Sequence, residues 1–167
     1  MHNGFFRMSN RQKEFFGILI LILSVFIFLS FLTYSPFETP SGLSAAIARK
    51  NIMGIFGVYI SYYLMKFTFG WGAFFFPLIL AIFGYALFFR KIENFSKMFF
   101  INIMLFGIWL SISLALIGNK VGGMWEAEYP GLLGYVFWNF LNDIFGYYAT
   151  IIILFVSFIL LLSSFFN

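Results

Sequence analysis

The sequence has no cysteine, which excludes disulfides and zinc–thiolate sites. Its one histidine, at position 2, cannot build a metal centre by itself. Charged residues are scarce, at 10% of 167, where a soluble domain carries about 25%. No glycine-rich loop leads into Lys-Ser or Lys-Thr, so this chain is not expected to hydrolyse nucleotide. Neither a nucleophile with a base nor a pair of carboxylates at useful spacing is found. The net charge of +4 comes from a few clustered residues. Such an excess reads as membrane topology rather than as a nucleic-acid footprint.

What the chain has instead is apolar length. Hydrophobic residues make up 62%, with 28 Phe and 9 Tyr. The run Gly70–Phe89, GWGAFFFPLILAIFGYALFF, is free of charge, and Arg90 follows it. A helix of that length covers about 30 Å, the thickness of a bilayer's hydrocarbon core. The expected fold is all-α, a polytopic membrane helix bundle.

In chain order, residues 1–14 form a tail that ends in Arg11, Lys13 and Glu14. A first span is expected over 15–33, interrupted only by Ser24 and Ser30. It is too long and bulky for a signal peptide, and TYSPFETP offers no cleavage site. Residues 44–67 carry Ile52, Phe56, Tyr59, Ile60 and Tyr63 at helical spacing, with Ser41 or Ser44 as a cap. Their uncharged core is short, which favours an interfacial or re-entrant helix over a fifth crossing. Spans at about 70–89, 98–117 and 147–166 follow, with a second short helix at 131–144. Pro77 lies inside the second span, where a membrane bundle tolerates a proline kink, and is a candidate helix-packing residue.

Two further patterns stand out. Gly54-x-x-Gly57 precedes Gly70-x-x-Ala73, and Gly131-x-x-Gly134 precedes Gly146-x-x-Ala149, at nearly the same separation. The spacing suggests a two-fold internal repeat of span, loop, short helix, glycine hinge and span. These six glycines are candidates for seating the short helices. Gly107, Ser111 and Ala115 recur every four residues and form the expected packing face of the third span, with Trp109 off it. Trp71, Trp125 and Trp138 are expected at a membrane interface. Asn102 reads as a helix–helix hydrogen bond, Asp143 as an interface or cap residue, and Glu126 and Glu128 as solvated loop.

Charge counting gives the topology. The tail and the 90–97 connection hold Arg7, Arg11, Lys13, Arg90, Lys91 and Lys97 against Glu14 and Glu93. The two longer loop regions hold Arg49, Lys50, Lys66 and Lys120 against Glu38, Glu126, Glu128 and Asp143. Basic residues in the shorter segments favour both termini in the cytoplasm.

Three segments together carry a family pattern: LSFLTYSPFETP at the end of the first span; NIMGIFGVYISYYLMKFTFGWGAFFFPLILAIFGYALF, with Asn51, Gly54, Gly57, Phe69, Gly70, Ala73, Pro77 and Gly84; and PGLLGYVFWNFLNDIFGYYATIIIL, with Gly131, Gly134 and Gly146. From about Phe15 to Phe166 the chain resembles the N-terminal four-span membrane domain of the bacterial DNA translocases FtsK and SpoIIIE. It departs from the family in the first loop, where Ser35-Pro36-Phe37-Glu38 stands without the usual Asp or Trp.

The resemblance implies a membrane anchor that targets the division septum in the bacterial inner membrane. It implies a cytoplasmic RecA-like ATPase beyond the fourth span, using ATP and magnesium to move DNA, and hence no catalytic, metal or cofactor site in this chain. The chain ends directly after a span, where such a motor would follow. The implied partners are lipid, other copies of the chain and bacterial division proteins, with DNA reached only through the motor. The alternatives are a small two-repeat transporter or channel, or a stand-alone membrane scaffold.

Overall fold

A computed structural model describes residues 9–42, 50–91, 97–123 and 128–166. Six α-helices are described: α1 Asn10–Leu32, α2 Gly54–Ser61, α3 Phe75–Phe88, α4 Lys97–Val121, α5 Gly131–Phe145 and α6 Tyr147–Phe166. A π-helical stretch, Tyr62–Phe69, continues α2, and a 3₁₀ stretch, Gly70–Phe74, leads into α3. Four helical segments are long and apolar enough to cross a membrane: α1, the broken segment Gly54–Phe88, α4 and α6. The fold is all-α, with short helices added to these four.

Helix ends follow local chemistry. α1 starts within the expected tail because Ser9 and Gln12 form a capping box: the Ser9 N–H donates to Gln12 Oε1 at 2.8 Å, and the Gln12 N–H donates to Ser9 Oγ at 3.3 Å. The first short helix begins at Gly54, later than the expected 44. Ser41 lies instead in a short 3₁₀ turn, Pro40–Gly42, and Ser44 falls outside the described residues. α4 runs on to Val121, past the expected 117.

The second span is not kinked at Pro77. That residue sits in the first turn of α3, where an intrahelical N–H is not required. The break lies earlier, at Thr68 (φ −115°, ψ −113°) and Gly70 (φ 55°, ψ −127°).

α1 and α3 pack along their lengths because small residues let their backbones meet. A Cβ on Gly17 would stand 2.7 Å from the Phe88 nitrogen, and one on Gly84 would stand 3.1 Å from the Gly17 carbonyl oxygen. Farther along, Ser24 Oγ donates to the Pro77 carbonyl at 2.7 Å. Glu14 and Arg90 pair at the end of the bundle where α1 begins. One core cluster gathers Ile27, Phe31, Met65 and Ala73, and a second gathers Ile112, Ala115, Trp138 and Leu154. Large apolar side chains face outward along the long helices, including Ile22 at 65% exposed and Phe155 at 64%. A surface this apolar belongs in lipid.

Candidate functional site at the loop end of the bundle

The end of the bundle opposite the Glu14–Arg90 pair is built from the α1–α2 loop, the Gly70 break and the segment leading into α5. Two glycines cross there. Gly70 and Gly131 are both buried, at φ 55° and 66°. A Cβ on Gly70 would come within 2.6 Å of the Gly131 nitrogen, and one on Gly131 would come within 2.7 Å of the Met65 carbonyl oxygen. The adjacent Trp71 N–H donates to the Tyr129 carbonyl at 2.9 Å. An L-side chain at either glycine would meet backbone, which cannot move aside as a side chain does.

The packing face of α4 closes the same junction. Gly107 lies under the ring of Phe75, and a Cβ there would stand 2.7 Å from the Gly72 carbonyl oxygen. Ser111 is fully buried and donates to the Pro130 carbonyl at 2.6 Å. Gly134 of α5 lies directly against Ser111. Ala115 packs beside Trp138 in the second core cluster. The structure thus brings Gly70, Gly131, Gly107, Ser111 and Gly134 into one contact between the halves of the chain.

The remaining expected residues lie elsewhere. Gly57 packs against Asn51 and Met53 of its own leading loop. Gly54 (φ 67°) and Gly146 (φ 77°) have nothing within 4 Å of a Cβ position among the described residues. Trp71 is half exposed, and Trp125 lies outside the described residues. Trp138 packs inside the bundle. It is 1% exposed, covered by Ile112, Ala115 and Leu154, with Tyr147 edge-on to its ring.

Two polar hubs escaped the sequence reading. Asn51, 3% exposed, donates from Nδ2 to the Ser30 carbonyl at 2.9 Å and accepts at Oδ1 from the Met53 N–H at 3.1 Å. It fastens the start of α2 to the end of α1. Glu38 supports it by accepting the Lys50 N–H at 2.6 Å and the Asn51 N–H at 3.2 Å.

Glu128, read as solvated loop, is instead largely buried, with its side chain 13% exposed. It pairs with Lys66 at 3.1 Å and accepts the Tyr34 hydroxyl at 2.9 Å. One carboxylate thereby ties the second half of the chain to two segments of the first. Burial of Tyr34, followed by the hydrogen bond and charge of Glu128, pushes its phenol above the usual range. Beside this triad lies a cleft of about 460 Å³, bordered by Tyr34, Phe37, Lys50, Trp71 and Tyr129.

Asn102 bridges α4 and α6. Its Nδ2 donates to the Ser164 carbonyl at 3.0 Å, and Ser164 Oγ donates back to Oδ1 at 3.1 Å. Trp109 adds a second tie, from Nε1 to the Leu154 carbonyl at 2.9 Å. These bonds hold helices together, with both polar ends of Asn102 committed to Ser164. Among the described residues no group of three His, Cys, Asp or Glu side chains could hold a metal.

Residues 9–167 match the family described as the 4TM region of DNA translocase FtsK/SpoIIIE. The chain belongs to this family. No curated relative and no solved structure matches it. The FtsK/SpoIIIE 4TM region is a non-catalytic membrane anchor, and this one is multi-pass. The hydrogen bonds and close backbone contacts of its loop end therefore serve assembly of the bundle rather than chemistry.

Proposed function

We propose that this 4TM region anchors an FtsK-like translocase at the division septum, with both termini in the cytoplasm. The family match over residues 9–167 carries the reading. The excess of Arg and Lys in the tail and the 90–97 connection supports the orientation. The ATP-driven motor, with its magnesium and DNA, belongs to a cytoplasmic part joined after the fourth span. The four spans are drawn from α1, the part of the broken segment from Gly70 onward, α4 and α6, and the two short helices, the first from Gly54 and the second Gly131–Phe145, are interfacial or re-entrant. Copies of the chain associate, and division proteins are met at the loop end. Its aromatic cleft has the composition that favours protein contacts.

The test is a fluorescent protein fused after residue 167 and expressed in a dividing rod-shaped bacterium. A fluorescent band at midcell is expected, because the fluorophore matures on the cytoplasmic side. Uniform membrane fluorescence would refute septal targeting. A fusion that is dark, yet active when alkaline phosphatase replaces the fluorescent protein, would refute the orientation.

A further inference from the structure

The two halves of the chain present the same pair of backbone surfaces, and among the described residues only one surface of each kind is used. The leading turns of the short helices are alike. The Gly54 N–H bonds the Asn51 carbonyl at 3.0 Å, and the Gly131 N–H bonds the Glu128 carbonyl at 3.3 Å. Both glycines have nearly the same φ, 67° and 66°. The hinges are alike too, with Gly70 and Gly146 both at positive φ. Their spacing differs by one residue, 54 to 70 against 131 to 146. The π-helical stretch Tyr62–Phe69 absorbs the extra residue, since a π turn holds one more residue than an α turn.

Within the chain, the hinge of the first half docks on the leading turn of the second, Gly70 on Gly131. This is a head-to-tail contact, and it leaves one surface of each kind over. The leading turn at Gly54 and the hinge at Gly146 are open among the described residues. Their neighbours are apolar and outward-facing: Ile52 is 60% exposed, Phe56 76% and Tyr148 81%. Both surfaces lie at the loop end, since the Ile52 N–H reaches Thr33 Oγ1 at 3.3 Å and Lys120 covers the Tyr147 ring at 5.1 Å.

We propose that a second copy of this chain fills these surfaces, the Gly146 hinge of one copy docking on the Gly54 turn of the next. The occupant follows from the chain itself, which already makes the contact once between its own halves. A head-to-tail contact of this kind repeats from copy to copy and closes into a ring when its rotation allows. Trp71 and Tyr129 correspond, by repeat position, to Tyr147 and Ile52. The Tyr147 N–H of one copy thus faces the Ile52 carbonyl of its neighbour. The contact does not depend on septal targeting or on an attached motor.

The absence of native cysteine makes the test clean. The full chain is expressed in membranes as Ile52→Cys, as Tyr147→Cys and as the double variant, then oxidised. The intrachain pair Trp71→Cys/Tyr129→Cys sets the oxidation conditions. The double variant is expected to give a ladder of covalent multimers above 19.4 kDa, and a mixture of the single variants only dimers. Each single variant alone is expected to stay at monomer mass. A double variant that remains monomeric while the intrachain pair oxidises would overturn the proposal. So would single variants that cross-link as strongly as the double, because that pattern belongs to a symmetric face or random collision. Septal localisation is read separately, so failure of either idea leaves the other standing.

Discussion

Gly70 and Gly131 meet with only backbone between them, each at positive φ, while Gly54, which opens the other short helix, has nothing within 4 Å of a Cβ position among the described residues. The pair of positions separates two costs. Gly54→Ala adds a Cβ in a left-handed conformation, at about 1–2 kcal/mol. Gly131→Ala adds the same strain and drives the Cβ into the Gly70 backbone, which raises the loss to about 3 kcal/mol. Thermal unfolding in detergent, followed by tryptophan fluorescence, should therefore show a clearly larger fall for Gly131→Ala. Equal falls would mean that the junction tolerates a Cβ and is looser than described.

The Tyr34–Glu128 bond gives a pH signature. The folded protein holds the Tyr34 phenol protonated above its ordinary range, because the hydroxyl is half-buried and donates to an anionic carboxylate. In the unfolded chain it ionises near pH 10. A raised folded pKa contributes stability that is complete below about pH 10 and is lost as pH climbs beyond it. Tyr34→Phe should lower stability by about 1 kcal/mol at pH 8. Its deficit should shrink above pH 10, as wild type loses its advantage. Melting curves of both proteins from pH 8 to 11 check this, and a constant gap contradicts it.

The α4 face answers to bulk. Gly107 lies against the Phe75 ring and the Gly72 carbonyl, and Ala115 is 2% exposed beside Trp138. Leucine at either site must displace packed groups, at about 1–3 kcal/mol each. Gly107→Leu/Ala115→Leu should lower the melting temperature and broaden the gel-filtration peak in detergent. An unchanged peak and melting temperature would remove this face from the packing account.

Much of this architecture was legible because the bilayer imposes it. Long uncharged runs must be helices, so α1, α4 and α6 could be read from apolar length alone. The small-residue face of α4 was legible for a related reason, since small residues at a spacing of four mark a close approach. What sequence could not give was the identity of each partner. Six seating glycines looked alike, yet Gly70 and Gly131 are locked together while Gly54 and Gly146 stand open among the described residues, a difference set by tertiary placement. That α5 turns Trp138 inward onto Ile112 and Leu154 could not be read from its position in the chain. Pro77 implied a kink only as long as the helix start was placed at Gly70. Glu128 looked like loop because its partners, Tyr34 and Lys66, lie 94 and 62 residues away.

The least buried of the long segments, α6, depends most on its few polar ties. Asn102 holds its far end through Ser164, Trp109 holds the middle through the Leu154 carbonyl, and Lys120 covers Tyr147 at the near end. Hydrogen bonds between membrane helices are worth about 0.6 kcal/mol on average and about 1.7 at most. Ser164→Ala removes the bonds between the two side chains and leaves the one from Asn102 Nδ2 to the Ser164 carbonyl, whereas Asn102→Ala removes them all. The double variant should then be little worse than Asn102→Ala alone, with a coupling energy of about 1 kcal/mol in unfolding measurements in detergent. Additive losses would show that the two side chains act independently.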